Sequence, residues 1–230
     1  MTTLDRRITL ADKKLAALQT IKKGMLQKIF SQELRFKDDD GNEFPVWEQK
    51  SLGEVFVQTN ETCTPCNEIP LYSLTIEDGL TEKTDRYNRE YLTKKDDGYK
   101  IVRPGWLVYN PMNMTLGAIG YNSSSMPVAV SGYYITMFTN KMHDNCYFLY
   151  WLKSKEALHL YRKYATGTLV EKQRVQFPTF ESIKVNIPSL PEQQKIAAYF
   201  ATLDHSIATA QKKAAALRAI KKGLLQKMFI

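Results

Sequence analysis

One sequence element is used twice in this chain, near its beginning and at its end. Residues 4–30 align with residues 203–229 at a constant offset of 199 without a gap, and 17 of the 27 positions are identical. Shared helical composition does not produce that much identity in one register. Any fold must therefore explain two similar segments that bracket one different region.

Both copies are predicted to be long helices. A helix over residues 191–230 would be roughly 55–60 Å long at about 1.5 Å per residue, which one small domain cannot cover. It needs a partner helix, and the other copy is the obvious one. Apolar residues recur at alternating steps of four and three, the seam of a coiled coil, at Ile196, Phe200, Leu203, Ile207, Ala210, Ala214 and Leu217 in the tail and at Leu4, Ile8, Ala11, Leu15 and Leu18 in the head.

Composition places the chain among ordinary globular proteins, with 43% apolar and 24% charged residues. No run approaches 18 apolar residues and no signal peptide is visible, so we expect a cytoplasmic protein without a membrane segment. The pair Cys63-Thr-Pro-Cys66 has the spacing of a zinc knuckle or redox motif, but no second pair completes a metal site. We therefore predict no metal and no cofactor.

The net charge of +8 is unevenly distributed. Residues 1–30 and residues 191–230 each carry seven Lys and Arg against two acids, for +5 apiece, which leaves −2 for residues 31–190. A basic surface of this kind fits a polyanionic partner such as nucleic acid. A solvated helix face explains the same lysines, and the sequence alone leaves both interpretations open.

The middle of the chain alternates strand-like runs with turns and contains one helical stretch at residues 146–163. This pattern predicts a mixed α+β domain over residues 34–190, between helices at residues 1–33 and 191–230. The predicted strands lie at residues 71–76, 100–102, 106–109, 117–121, 128–130, 133–138 and 183–187.

The sequence shows no convincing catalytic constellation. Asn110-Pro-Met-Asn113 is the nearest approach to the Asn-Pro-Pro-aromatic signature of adenine methyltransferases, but it lacks the second proline and the aromatic residue. The histidines are scattered, and no paired carboxylates stand in a nuclease-like arrangement. Binding is therefore favoured over catalysis.

Loop residues with amide, hydroxyl and phenol groups are the candidates for DNA contact, because such groups hydrogen-bond base edges and phosphates while Lys and Arg supply charge. Acids interleave with the cations near residue 94, so an internal ion-pair surface is an equal alternative there, and the tyrosines could serve packing instead. The candidate set is Lys94, Lys95, Tyr109, Asn110, Asn113, Tyr121, Asn122, Ser123, Ser124, Thr166, Thr168, Lys172 and Arg174.

Several motifs resemble the DNA-specificity (S) subunit of type I restriction–modification systems. The tail motif is Ile187-Pro-Ser-Leu-Pro191-Glu-Gln-Gln-Lys-Ile-Ala, followed by Leu203-Asp204 and Lys221-Lys-Gly-Leu-Leu-Gln-Lys-Met-Phe229. The first helix contains the counterparts of the last two motifs, Leu4-Asp5 and Lys22-Lys-Gly-Met-Leu-Gln-Lys-Ile-Phe30. In the middle, Arg103-Pro-Gly-Trp-Leu-Val-Tyr-Asn110, Gly117-Ala-Ile-Gly and Val130-Ser-Gly-Tyr-Tyr134 resemble a target recognition domain.

The resemblance implies an α+β fold, in which a mixed α/β target recognition domain is flanked by two long helices that form an antiparallel coiled coil. It also implies a non-catalytic subunit that reads half of a bipartite site in double-stranded DNA. Its helices would set the spacing and dock methyltransferase (M) subunits, which restriction (R) subunits then join.

This chain departs from the family pattern because it has one recognition domain where the family has two. It looks like the second half of an S subunit, so we expect a homodimer through the helices that recognises a palindromic, interrupted site. The alternative function is a coiled-coil protein-interaction scaffold that does not bind DNA. An enzyme acting on DNA alone is the least favoured interpretation.

Overall fold

The structure is a computed structural model that describes residues 3–63, 69–82, 98–167 and 173–228. The chain divides into two compact units, of which unit 1 comprises Met1–Arg35 with Lys195–Ile230 and unit 2 comprises Phe36–Gln194. The elements follow in the order α1 (Thr3–Phe30), β1 (Glu48–Ser51), α2 (Leu52–Val55), β2 (Phe56–Thr59), β3 (Thr62–Cys63), β4 (Tyr72–Thr75), β5 (Gly79–Glu82), β6 (Tyr99–Val102), β7 (Leu107–Tyr109), β8 (Ile119–Tyr121), β9 (Val128–Val130), β10 (Ile135–Thr139), α3 (Asn145–Leu152), α4 (Lys155–Tyr164), α5 (Phe177–Glu181), β11 (Lys184–Ile187) and α6 (Leu190–Met228).

The two predicted long helices are confirmed. Helix α1 has 28 residues and helix α6 has 39 residues, and α6 begins one residue before the predicted Pro191. No helix in the described ranges combines the length and the apolar character that a membrane span requires.

The helices of unit 1 run antiparallel. Lys221 Nζ lies 2.7 Å from Asp5 Oδ1, and Arg218 Nη2 lies 2.6 Å from Asp12 Oδ1, so residue numbers fall along α6 as they rise along α1. The buried seam of α6 includes Ala210, Ala214 and Leu217. The heptad positions read from the sequence therefore face the partner helix, which buries their apolar surface.

Unit 2 is built from small antiparallel sheets. A four-stranded sheet has the order β2-β10-β7-β8 and a three-stranded sheet has the order β3-β6-β9, while β4 and β5 form a hairpin. Strands β1 and β11 pair from Glu48 opposite Ile187 to Ser51 opposite Lys184.

The core of unit 2 has an aliphatic part and an aromatic part. The aliphatic cluster consists of Leu74, Val102, Val108, Ala118, Val128 and Val130. In the aromatic part, Phe56 packs edge-on against Phe148 with ring centroids 4.9 Å apart, and against Phe180 at 5.3 Å. Gly120 on β8 allows the β4–β5 hairpin to pack, because a Cβ there would lie 2.7 Å from Leu74 Cδ1 and 3.1 Å from the Leu80 backbone nitrogen.

A buried polar cluster explains the Pro191-Glu-Gln motif. Trp47 Nε1 donates to Glu192 Oε2 at 3.1 Å, and Glu192 is fully buried. Gln193 accepts from the Asp144 backbone nitrogen at 2.9 Å and donates to the Pro188 carbonyl at 2.8 Å. Both side chains therefore hold the first turn of α6 inside unit 2.

The structure corrects one predicted element and adds four strands that were not predicted. The helical stretch at residues 146–163 is two helices, α3 and α4, separated at Lys153-Ser154. The Ser154 hydroxyl caps α4 by accepting from the Ala157 backbone nitrogen at 3.1 Å. Strands β1, β2, β3 and β5 were not predicted, because their short runs lack apolar alternation.

Candidate nucleic-acid interface

The β7–β8 hairpin separates the predicted site residues into two groups. In this hairpin Tyr109 pairs with Ile119 and Leu107 pairs with Tyr121. Asn110 and Asn113 follow the Tyr109 end, whereas Asn122, Ser123 and Ser124 follow the Tyr121 end. A three-residue strand is roughly 10 Å long, so the two loops leave opposite ends of the hairpin and do not form one cluster.

Tyr109 itself belongs to the core. Its side chain is fully buried, and its ring lies 5.6 Å from the ring of Phe180. Burial, with a smaller effect from Glu181, raises the pKa of the Tyr109 phenol far above its usual value. The residue therefore packs the domain and does not present its hydroxyl to a duplex.

Asn122 is also buried, and it organises the loop behind it. Its Nδ2 donates to the carbonyls of Val102 at 2.8 Å and Met126 at 2.9 Å. Its Oδ1 accepts from the Ser124 backbone nitrogen at 3.0 Å and from the Ser124 hydroxyl at 2.7 Å. With its amide satisfied in this way, Asn122 shapes the loop, and the exposed residue of the predicted group is Ser123.

Tyr121 is partly buried at the same end of the hairpin. Its hydroxyl accepts from Cys146 Sγ at 3.5 Å. Burial raises the pKa of the Tyr121 phenol, and the hydrogen bond with Cys146 raises it further. The neighbouring cation Arg103 forms an ion pair with Glu61, with 2.9 Å between Arg103 Nε and Glu61 Oε2, so an acid of the domain already balances its charge.

The Tyr109 end gathers the other predicted residues. Thr166 and Arg174 form an antiparallel bridge through two backbone hydrogen bonds of 3.0 and 2.9 Å. The next residue, Val175, donates from its backbone to the Pro111 carbonyl at 3.0 Å. That bond brings Thr166 and Arg174 beside the Asn110–Asn113 turn, in which Asn110 Oδ1 accepts from the Met112 backbone nitrogen at 3.0 Å.

Two further cations at this end were missed by sequence reasoning. Arg162 and Lys163 form the basic last turn of α4, just before Thr166, and both are exposed. Neither they nor Arg174 forms an ion pair within the described part of the chain. The excess of +4 over residues 153–174 was the signal that could have identified them. We call Arg162, Lys163, Thr166, Arg174 and Asn113 the basic patch.

Four predicted residues, Lys94, Lys95, Thr168 and Lys172, lie outside the described residues. Among the described residues, no group of three or more His, Cys, Asp or Glu side chains is arranged to hold a metal ion. The chemistry available at the basic patch is thus that of cations, an amide and a hydroxyl on a rigid frame, which is suited to binding an anionic polymer.

The family model described as the type I restriction modification DNA specificity domain matches residues 45–219. The type I restriction enzyme MjaVIII specificity subunit of Methanocaldococcus jannaschii is 28% identical over 210 residues, which cover 87% of this chain and 46% of that protein.

Two solved structures share the fold. The type I restriction-modification S subunit from M. genitalium matches with a TM-score of 0.59 and 16% identity, over 97% of this chain and 57% of that one. A chain from a study of complex assembly and conformational transition of the type I R-M system matches with a TM-score of 0.57 and 16% identity, over 98% and 56%. The chain therefore spans about half the length of the relatives it matches.

Proposed function

Because the chain belongs to the type I restriction modification DNA specificity domain family, we propose that it is the sequence-reading subunit of a type I restriction–modification complex. The observation that carries this proposal is the extent of the family match, which includes most of unit 2 and α6 as far as residue 219. The subunit binds double-stranded DNA and performs no chemistry of its own.

Unit 2 is the reader in this proposal, and the basic patch is its contact with DNA. Arg162, Lys163 and Arg174 neutralise phosphates, which positions the domain without reading sequence. Asn113 and Thr166 supply the amide and hydroxyl groups that can bond to base edges. Support comes from the exposure of these side chains and from the hydrogen bonds that fix the two loops to each other.

The helical unit docks methyltransferase subunits, which restriction subunits then join. Support comes from apolar side chains that the helix pair leaves about half exposed, at Ile21, Ile220 and Leu224. Two copies of the chain supply two readers, so the complex recognises a palindromic site with an interruption. Sedimentation that shows a monomer at high micromolar concentration, with and without DNA, would exclude the dimer.

Selection from a pool of random duplexes tests the reading function. The folded chain, together with methyltransferase subunits, should enrich one short motif. Recovery of duplexes with no shared motif would contradict the proposal. Absence of any salt-dependent affinity for duplexes would favour the protein-interaction scaffold instead.

A further inference from the structure

The net positive charge of the protein lies entirely in the helical unit. Unit 1 carries fifteen Lys and Arg against four Asp and Glu, for a net charge of +11. Unit 2 carries seventeen against twenty, for a net charge of −3. The unit proposed to read DNA is therefore the one with less electrostatic attraction for it.

The acids of unit 1 are already used within the unit. Asp5, Asp12 and Asp204 pair with Lys221, Arg218 and Lys22 across the two helices, and Glu33 pairs with Lys28. Many cations remain without an ion pair in the described part of unit 1, including Arg6, Arg7, Lys13, Lys14, Lys23, Lys212, Lys213 and Lys222. Their charge is available to an external partner.

Three of these cations surround one cavity of the helix pair, with a volume of about 510 Å³. Arg7, Lys14 and Lys213 line it, and all three are exposed. The buried residues Ala210 and Leu217 also line it. No carboxylate is among the described residues that form its wall.

The cavity lies on a local twofold axis of the helix pair. The repeat equivalent of Asp5 is Asp204, and the repeat equivalent of Lys22 is Lys221, each 199 residues further along the chain. Exchanging the two helices therefore converts the ion pair Asp5–Lys221 into the ion pair Asp204–Lys22, so the helices are related by a twofold rotation. The same operation pairs eight of the ten residues that line the cavity: Arg7 with Ser206, Leu10 with Thr209, Ala11 with Ala210, and Lys14 with Lys213.

Duplex DNA has the same local symmetry, because a dyad relates the phosphates of its two strands. Protein twofold axes coincide with DNA dyads in many dimeric DNA-binding proteins. The twofold rotation relates Lys14 to Lys213, as a dyad of the duplex relates equivalent phosphates of its two strands. An acidic protein segment has no such dyad of its own, which favours DNA as the occupant.

We propose that this face of the helical unit binds the phosphate backbone of duplex DNA without reading its sequence. The inference rests on the proposed function in taking DNA as the ligand. In this proposal unit 1 supplies most of the salt-dependent affinity, and unit 2 adds the phosphate contacts of the basic patch and the discrimination between sequences.

The test measures the affinity of the full chain for a duplex of arbitrary sequence over a range of salt concentrations. The cavity variant carries Arg7→Gln, Lys14→Gln and Lys213→Gln. The matched control carries Lys141→Gln, Lys155→Gln and Lys184→Gln, three exposed lysines of unit 2 with the same total charge. Circular dichroism checks that each variant is folded, and the three single cavity variants replace the triple one if it is not.

We expect the plot of log K against log salt to become shallower in the cavity variant. The magnitude of its negative slope should decrease by about 2 to 3, since each lost phosphate contact removes about 0.9. The control should change it by less than about 1. An unchanged slope in the folded cavity variant overturns the proposal. Loss of methyltransferase-subunit binding with an unchanged slope also overturns it and assigns the cavity to an acidic protein segment, which the exposed Leu10 could contact.

Failure of the reading function has a different signature. In that case the wild-type chain binds arbitrary duplexes with the expected salt slope but enriches no motif from a random pool. A wild-type chain that enriches a motif and shows the same slope as the cavity variant would retain the reading function and remove only the backbone contact of the helices.

Discussion

Asp5 and Lys221 form an ion pair across the two helices of unit 1, and their repeat equivalents Asp204 and Lys22 form the same ion pair. The internal repeat is thus a structural symmetry as well as a sequence one. It fixes the antiparallel register, because a shift of either helix would separate both ion pairs at once.

The ion pair Asp5–Lys221 predicts a charge-reversal result. Asp5→Lys should destabilise the protein because it places a lysine opposite Lys221, and adding Lys221→Asp should restore part of the loss. These side chains are 26% and 46% exposed, so the coupling should be only about 0.5 kcal/mol. Urea denaturation in a double-mutant cycle measures it. Asp5→Lys with Lys222→Asp is the control, and equal rescue by the control would contradict the assigned register.

The apolar seam predicts a larger effect. Leu217 is buried between the helices, so Leu217→Ala should lower the free energy of unfolding by roughly 2–4 kcal/mol. Leu224 lies seven residues further along α6 but is 53% exposed, and Leu224→Ala should cost less than about 0.5 kcal/mol. Equal costs in chemical denaturation would mean that the seam has been misplaced.

Glu192 predicts a stability defect that depends on its acceptor oxygen. Glu192→Ala leaves the Trp47 indole N–H without this buried acceptor and should cost roughly 2–3 kcal/mol. Glu192→Gln keeps an oxygen in place and should cost less. The exposed neighbour Gln194 serves as the control, since Gln194→Ala should be nearly neutral. Comparable losses for Glu192→Ala and Gln194→Ala in thermal unfolding would rule out the buried anchor.

Asn122 and Ser123 predict opposite phenotypes in one loop. Asn122→Ala removes the hydrogen bonds to Val102, Ser124 and Met126 and should destabilise unit 2 by roughly 2–4 kcal/mol. Ser123→Ala should change stability by less than about 0.5 kcal/mol, because Ser123 is exposed. If Asn122→Ala leaves the free energy of unfolding unchanged in denaturation experiments, Asn122 does not organise the loop and is a surface residue.

Arg174 predicts a binding defect without a stability defect. Arg174→Ala should weaken DNA binding and lower the salt slope by about 0.9, the value of one phosphate contact. Lys184→Ala, which removes an exposed charge from β11, is the matched control and should leave the slope unchanged. Equal slopes of log K against log salt for Arg174→Ala and wild type would show that Arg174 makes no phosphate contact. The sequence-based counterpart at Lys172 stays a prediction.

The helices could be predicted from sequence because their signal is long. A seven-residue apolar repeat over three heptads, present twice, leaves few alternatives. The short strands of unit 2 carry no such signal. Strand β1, Glu48–Ser51, consists of polar residues and is defined by its pairing with β11, which lies more than 130 residues away in the chain. Only the tertiary fold specifies it.

The candidate site was harder to predict for a related reason. Asn110 and Asn122 both follow strands and both precede turns, so their sequence contexts look alike. The structure sends their loops to opposite ends of one hairpin and buries Asn122. Loop composition does not show which Asn side chain forms its hydrogen bonds within its own loop. Arg162 and Lys163 were not predicted as site residues. Cations in the last turn of a helix also interact favourably with the helix dipole, so their presence there does not by itself indicate a binding site.

The most direct test of the account compares affinities at one fixed salt concentration. The full chain is titrated against the duplex motif selected from a random pool and against the same duplex with that motif scrambled. The account predicts that the selected duplex binds at least about tenfold more tightly, the discrimination of a single well-made base contact. Equal affinities for the two duplexes would contradict it.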